Sequence, residues 1–184
     1  MTKNEMNIQK VSQKGFTLVE TLLVIGIVAL VISAVVGIAT STSASQTAQS
    51  EARLIESAAS KIKNIYSSRA DFAGLTTNVA NDLEVFPNNL GDPAVNSFGG
   101  AVSVITPPDA PKTAAANGAR QFQVDWQSVS EDVCSELAAA NTSAIGVDVD
   151  GVEVYNRGIL DTDIGGIAGN CDDGVTISFV FGKS

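Results

Sequence analysis

Glu20 is the residue in this chain that most needs a chemical explanation. It lies in Lys14-Gly15-Phe16-Thr17-Leu18-Val19-Glu20, at the start of an uncharged apolar run that continues to residue 39. A run of about 20 residues matches the hydrocarbon core of a bilayer. A carboxylate inside such a segment costs on the order of 2.5–3.5 kcal/mol on insertion scales, so it normally has a specific job. Gly15 leaves the backbone without a side chain just before the bulky Phe16. Elsewhere the candidate chemistry is thinner. Asp148, Asp150 and Glu153, or Asp161, Asp163, Asp172 and Asp173, could offer hard oxygen ligands to Ca²⁺. Neither group has EF-hand spacing, and acids in Gly-rich loops are ordinarily solvated. Carboxylate pairs also serve glycoside hydrolysis, but sequence sets no separation between them. There is no histidine, which excludes His triads, His general bases and His metal ligands. The expectation is a protein with no catalytic residue and no cofactor.

Three readings compete for residues 1–45. An ordinary secretory signal peptide would use Lys14 and a small-residue site at Thr42-Ser43-Ala44. Its apolar core should span about 7–15 residues, well short of this one. A signal anchor, with Lys10 and Lys14 holding the leader in the cytoplasm, accounts for orientation only. The third accounts for every feature: a short polar, basic leader, then Gly15-Phe16-Thr17-Leu18-x-Glu20, then the apolar run, resembles the class III signal of type IV pilins and pseudopilins. The resemblance implies that a membrane-embedded prepilin peptidase cuts between Gly15 and Phe16 and that the new amino terminus at Phe16 is methylated. It also implies that Glu20, fifth in the mature chain, meets the amino terminus of a neighbouring subunit as a filament forms.

Composition agrees with an exported, acidic body. The chain has 184 residues and a formal net charge of −9. Lys3, Lys10 and Lys14 against Glu5 give the leader +2, so the remainder carries −11. That field opposes nonspecific attraction to nucleic acid. Cys134 and Cys171 are the two cysteines. In a reducing cytosol they would be free thiols; in an exported body an isolated pair is most simply one disulfide.

The elements that carry these residues can be read from periodicity. Residues 16–70 read as one long helix, roughly 80 Å at 1.5 Å per residue. Its first half, 16–39, is apolar all round, the expected transmembrane segment and filament core. Ala29, Ser33, Gly37, Ser41 and Ser45 form a stripe of small side chains suited to close helix approach. Its second half is amphipathic, with Ala48, Ala52, Ile55, Ala59, Ile62 and Tyr66 facing a body, while Glu51, Arg53, Glu56 and Lys63 occupy other faces. Residues 71–100 read as a long connection with little regular structure. Residues 101–106 and 121–127 alternate as strands on either side of a loop bounded by Pro107-Pro108-Asp109 and Asn117-Gly118. Residues 130–140 read as a short helix capped by Ser130. Asp150-Gly151 marks a hairpin between 144–149 and 152–155, and 175–181 reads as a last strand after a Gly/Asp-rich loop. Asn141-Thr142-Ser143 matches a glycosylation sequon. The fold class expected is α+β: a long N-terminal helix packed on a mostly antiparallel sheet.

The order of Ser97-Phe98-Gly99-Gly100, Phe122-Gln123-Val124-Asp125-Trp126 and Val133-Cys134-Ser135-Glu136-Leu137 is similar to type IVb pilins, including conjugative thin-pilus subunits. That resemblance implies a leader at 1–15, a globular head at 71–184, and a disulfide-bounded surface region at 134–171. It implies a structural subunit made as an inner-membrane prepilin and polymerised into an extracellular pilus by the inner-membrane assembly machinery. Its partners would be identical subunits and the prepilin peptidase. The alternatives are a minor pilin at the filament tip and a type II secretion pseudopilin.

Overall fold

The structure, a computed structural model, describes residues 17–106, 120–140 and 142–183, without the side chains of 34–41. Gly15 and Phe16, the loop at 107–119 and Asn141 of the sequon lie outside the described residues. Two compact units are defined, Met1–Thr40 and Ser41–Ser184. The first helix, α1, runs Leu18–Ile65 through both.

In the first unit α1 begins on a local capping pattern. The Glu20 N–H donates to Thr17 Oγ1 at 3.3 Å, and Thr21 N–H donates to Thr17 O at 3.1 Å. Thr17 thus caps the helix through its hydroxyl, and Glu20 places an acid in the first turn, where the helix dipole favours negative charge. From Leu18 to Ile32 the large apolar side chains are exposed, Leu18 at 77% and Leu30 at 74%. Among the described residues no helix is long and apolar enough to cross a membrane. The described apolar side chains stop at Ser33, whereas the sequence remains apolar to Ala39.

In the second unit the sheet is antiparallel throughout, in the order β1-β2-β5-β3-β4. The strands are β1 Val102–Ile105, β2 Gln121–Val129, β3 Gly146–Val149, β4 Val152–Asn156 and β5 Val175–Gly182. Strand alternation sends Phe122, Val124 and Trp126 to one face, opposite Phe181, Phe179 and Ile177 in register. There they share the core with Ala48, Ile55, Ala58, Ala59 and Ile62 of α1. A run of aromatic contacts closes one end of this core: Tyr66–Phe72 at 5.6 Å, Phe72–Phe122 at 4.7 Å and Phe122–Phe181 at 5.4 Å. Asp150 and Gly151 have φ of 50° and 84°, the two positive values a type I′ hairpin turn requires. Gly100 is required by close approach, since a Cβ there would sit 1.9 Å from the Gln127 carbonyl oxygen.

Several expectations need correction. The helix ends at Ile65, short of residue 70, and the chain turns so that Tyr66 and Phe72 cap the core. Residues 71–100 contain a helix, α2 Thr77–Asp82, and a 3₁₀ turn at Asn88–Leu90. Thr76 caps α2 by accepting from the Val79 N–H at 3.3 Å. The Gly/Asp-rich loop after β4 holds another helix, α4 Ile164–Asn170. Ser130 does stand at the N-cap of α3, Glu131–Ala138, but without a side-chain capping bond.

Glu51 also departs from its expected place. It is 3% exposed, and its Oε2 accepts from Trp126 Nε1 at 2.7 Å. The buried stripe of α1 includes position 51, with Ala52 only partly covered. This bond joins helix to sheet inside the core, and a buried donor left unpaired costs about 1–3 kcal/mol. Glu51→Ala should therefore lower unfolding stability by that amount. Chemical denaturation followed through Trp126, the single tryptophan, measures it; an unchanged midpoint would show that the bond contributes nothing.

Candidate functional site: the helix entry and the disulfide-bounded region

Two places carry residues singled out by the sequence. The first is the entry of α1. Glu20 is exposed, and among the described residues its carboxylate meets no hydrogen-bond or ion-pair partner. Its neighbours Leu18, Val19, Leu22 and Leu23 are all exposed and apolar. An acid on such a surface is one that a partner of opposite charge would satisfy when the apolar side chains are covered. Ala29 and Ser33 of the small-residue stripe are exposed and Ser45 is half-buried. The surroundings of Gly37 and the side chain of Ser41 are not described. The Ser33 hydroxyl folds back to Ala29 O at 2.9 Å, which keeps that stretch compact.

The second place is the region between the cysteines. Cys134 and Cys171 form a disulfide, with Cα atoms 5.6 Å apart. It joins the fully buried side of α3 to the C-cap of α4, and so encloses β3, β4 and α4. The capping of α4 explains why this helix exists despite its glycines. The carboxylate of Asp163 accepts from the Gly166 N–H at 3.0 Å. A Cβ on Gly166 would lie 2.6 Å from that carboxylate, so the cap needs a glycine there. Ile167 then anchors the helix in the core at 2% exposure.

The acids considered for Ca²⁺ do not assemble. Among the described residues no group of three or more His, Cys, Asp or Glu side chains could hold a metal ion. Asp163 is engaged as a helix cap. Asp148 is buried on β3, in register with Ser178 on one side and Glu153 on the other. Asp150 sits in the hairpin turn, and Asp161 is exposed before α4. The Asp125 carboxylate is engaged within the sheet, accepting from the Ser103 and Ser178 hydroxyls at 3.2 and 2.8 Å and from Gln123 Nε2. Glu51 and Asp163 are the structural acids that sequence reading did not place. The signal for Glu51 was a lone tryptophan in a buried strand, whose N–H needs an acceptor.

Residues 10–36 match the prokaryotic N-terminal methylation motif. The fold is similar to that of TcpA, a type IV pilin from Vibrio cholerae El Tor biotype, with a TM-score of 0.56. The identity is 11%, over 74% of this chain and 99% of that one. It is also similar to the type IV b pilin from Salmonella typhi, with a TM-score of 0.50 and 16% identity over 71% of this chain and 97% of that one. No curated protein sequence matches. The methylation motif thus precedes a head with the fold of these two type IV pilins. The chain belongs to the family described as PilS N terminal, which matches residues 44–182.

The disulfide gives a test of the head. It closes a loop of 37 residues, for which chain entropy predicts about 3–4 kcal/mol. Cys134→Ser should lower subunit abundance or melt the α3–α4 region while leaving the leader's processing intact. A non-reducing peptide map of the parent protein should hold the Cys134–Cys171 linked pair; free thiols at both positions would contradict the bridge.

Proposed function

We propose that this pilin is the polymerising subunit of a type IVb-like pilus, made with residues 1–15 as a leader. Residues 16–39 hold the prepilin in the inner membrane, a prepilin peptidase cleaves after Gly15, and Phe16 becomes the methylated amino terminus. The inner-membrane assembly machinery then stacks identical subunits through α1 into a filament outside the cell. The observation that carries this reading is the methylation motif over residues 10–36, which encloses Gly15, Phe16 and Glu20.

Each residue has a physical part. Gly15 keeps the cleavage point open to the peptidase. Cleavage creates a positive amino terminus at Phe16, and Glu20 is the acid one helical turn away along the chain. In a stack of α1 helices the Glu20 carboxylate of one subunit pairs with the amino terminus of another. The pair offsets in the apolar filament core what either charge alone would cost there.

Two substitutions separate these parts. Gly15→Val should leave full-length precursor in the membrane and no filaments on the cell; mature subunit in that strain would remove Gly15 from the cleavage site. Glu20→Val removes an insertion penalty of about 2.5–3.5 kcal/mol, so membrane residence should persist or rise. Filament yield should nevertheless collapse when this variant is the only subunit, and normal piliation would exclude the role given to this acid.

A further inference from the structure

The head carries its charge unevenly. Lys63, Arg120, Arg157 and Lys183 line one cleft of about 550 Å³ in the second unit, together with the hydroxyl residues Ser67 and Ser143. The whole chain has 11 Lys and Arg, three of them in the leader, so half of the remaining cations meet in this one place. Their partners are neutral. Lys63 Nζ lies 3.5 Å from Ser143 Oγ, Arg157 donates to the carbonyls of Ser143 and Ala144 at 3.1 and 2.9 Å, and Lys183 donates to Tyr66 O at 2.7 Å. Arg120 is exposed. Among the described residues none of the four forms an ion pair. Glu56 is the acid nearest to Lys63 in effect. Burial holds the Lys63 ammonium below its ordinary range, with Glu56 opposing and Arg157 reinforcing that shift. Glu56 accepts from the Ser143 N–H at the edge of the cleft, so among the described residues four cations converge there with one acid beside them.

Its position in the sheet is specific. Arg120 precedes β2, Lys183 follows β5 and Arg157 follows β4, so all three lie at one end of the strands. The other end of the same strands is acidic. Glu131 and Asp132 follow β2, and Asp172 and Asp173 precede β5; all four are exposed. Glu131 and Asp132 also suit the N-terminus of α3, which explains their type without neutralising them. The acidic loop is held in place by the neighbouring disulfide and by the Gly174 N–H donating to Val129 O at 2.9 Å. About 30 Å of β2 separates the two ends, at 3.4 Å per residue.

We infer that the basic cleft receives the Asp172-Asp173 loop of a second copy of this chain, so that heads associate end to end along the strand direction. This rests on the reading of the protein as a polymerising subunit and names the contact between its heads. The partner is chosen by charge complementarity: in a body of net charge −11, identical copies repel unless opposite ends meet. A contact between two different surfaces is heterologous and repeats without closing, which is the geometry a filament needs.

A charge exchange tests the contact in the full-length protein as sole subunit. Arg120→Glu places an acid in the cleft, and Asp172→Lys with Asp173→Lys makes the loop basic. The loop variant sets two cations against the four of the cleft and should reduce the mass of filaments sheared from cells by about tenfold or more; Arg120→Glu only lowers the charge of the cleft and should cause a smaller loss, with cleaved subunit still present in the membrane in both. Lys63→Gln, which keeps an uncharged polar side chain, should act in the same direction with a smaller loss. Adding Arg120→Glu to the Asp172→Lys/Asp173→Lys variant halves the net positive charge that faces its loop and should recover part of the yield that the loop variant loses. Normal yield in either parent variant, or no gain of the combination over the loop variant, overturns the inference. So does retention of inorganic phosphate by the cleft with filament yield unaffected by Arg120→Glu, which would make it a site for a small anion. Absence of filaments from the unmodified chain would instead contradict the polymerising subunit itself.

Discussion

The head is organised by one packing event: a single stripe of α1 laid across the β2–β5 pair. Ala44, Ala48, Ile55, Ala58, Ala59 and Ile62 are buried there against Phe122, Val124, Trp126, Ile177, Phe179 and Phe181. Small alanines on the helix let it come close to the sheet, and the large side chains of the strands fill the space between. Apolar burial of this kind is worth about 25 cal/mol per Å² and is not directional. Direction comes from two polar or aromatic fixtures. Glu51 takes the Trp126 N–H at one level of the helix, and the Tyr66–Phe72–Phe122–Phe181 rings close the core at its end. Slipping the helix by one turn would leave both Glu51 and Trp126 buried without their partner. The pair therefore sets register as well as adding to stability.

This arrangement also divides the labour of one helix between two surroundings. Upstream, the described large side chains of α1 are apolar and exposed in a single chain, and the one acid among them, Glu20, is unpaired among the described residues. Downstream, the stripe already has its sheet. A chain that satisfies one half of a helix by itself and leaves the other half to partners can be held by lipid first and by other helices later. The charge pattern of the head follows the same logic, with cations gathered at one end of the strands and exposed acids at the other.

The sequence made some of this legible because those signals are linear. The methylation motif lies within one short segment, residues 10–36, and Asp150-Gly151 announces its hairpin through backbone requirements alone. The strands and α3 followed from alternation and spacing. What stayed hidden depends on distant contacts. Glu51 and Ala52 fit the helical period equally well, and the choice between them is made by Trp126, 75 residues away in the chain. Helix α4 has glycine at 165, 166 and 169, so local propensity argues against it. It forms because Asp163 caps it, Ile167 reaches the core and Cys171 ties its end to α3. The basic cleft was invisible for the same reason, since its four cations come from α1 and from the residues flanking β2, β4 and β5, and meet only when the sheet is built.

In the proposed pilus the mature chain begins at Phe16 and enters a filament through the helix that follows. Intact-mass analysis of the subunit in filaments sheared from the cell surface tests it most directly. The account predicts a chain that starts at Phe16, is heavier by one methyl group, and keeps the Cys134–Cys171 bridge. A filament-borne subunit that retains residues 1–15, or an exported protein that begins near Ser45 and forms no filament, would contradict it.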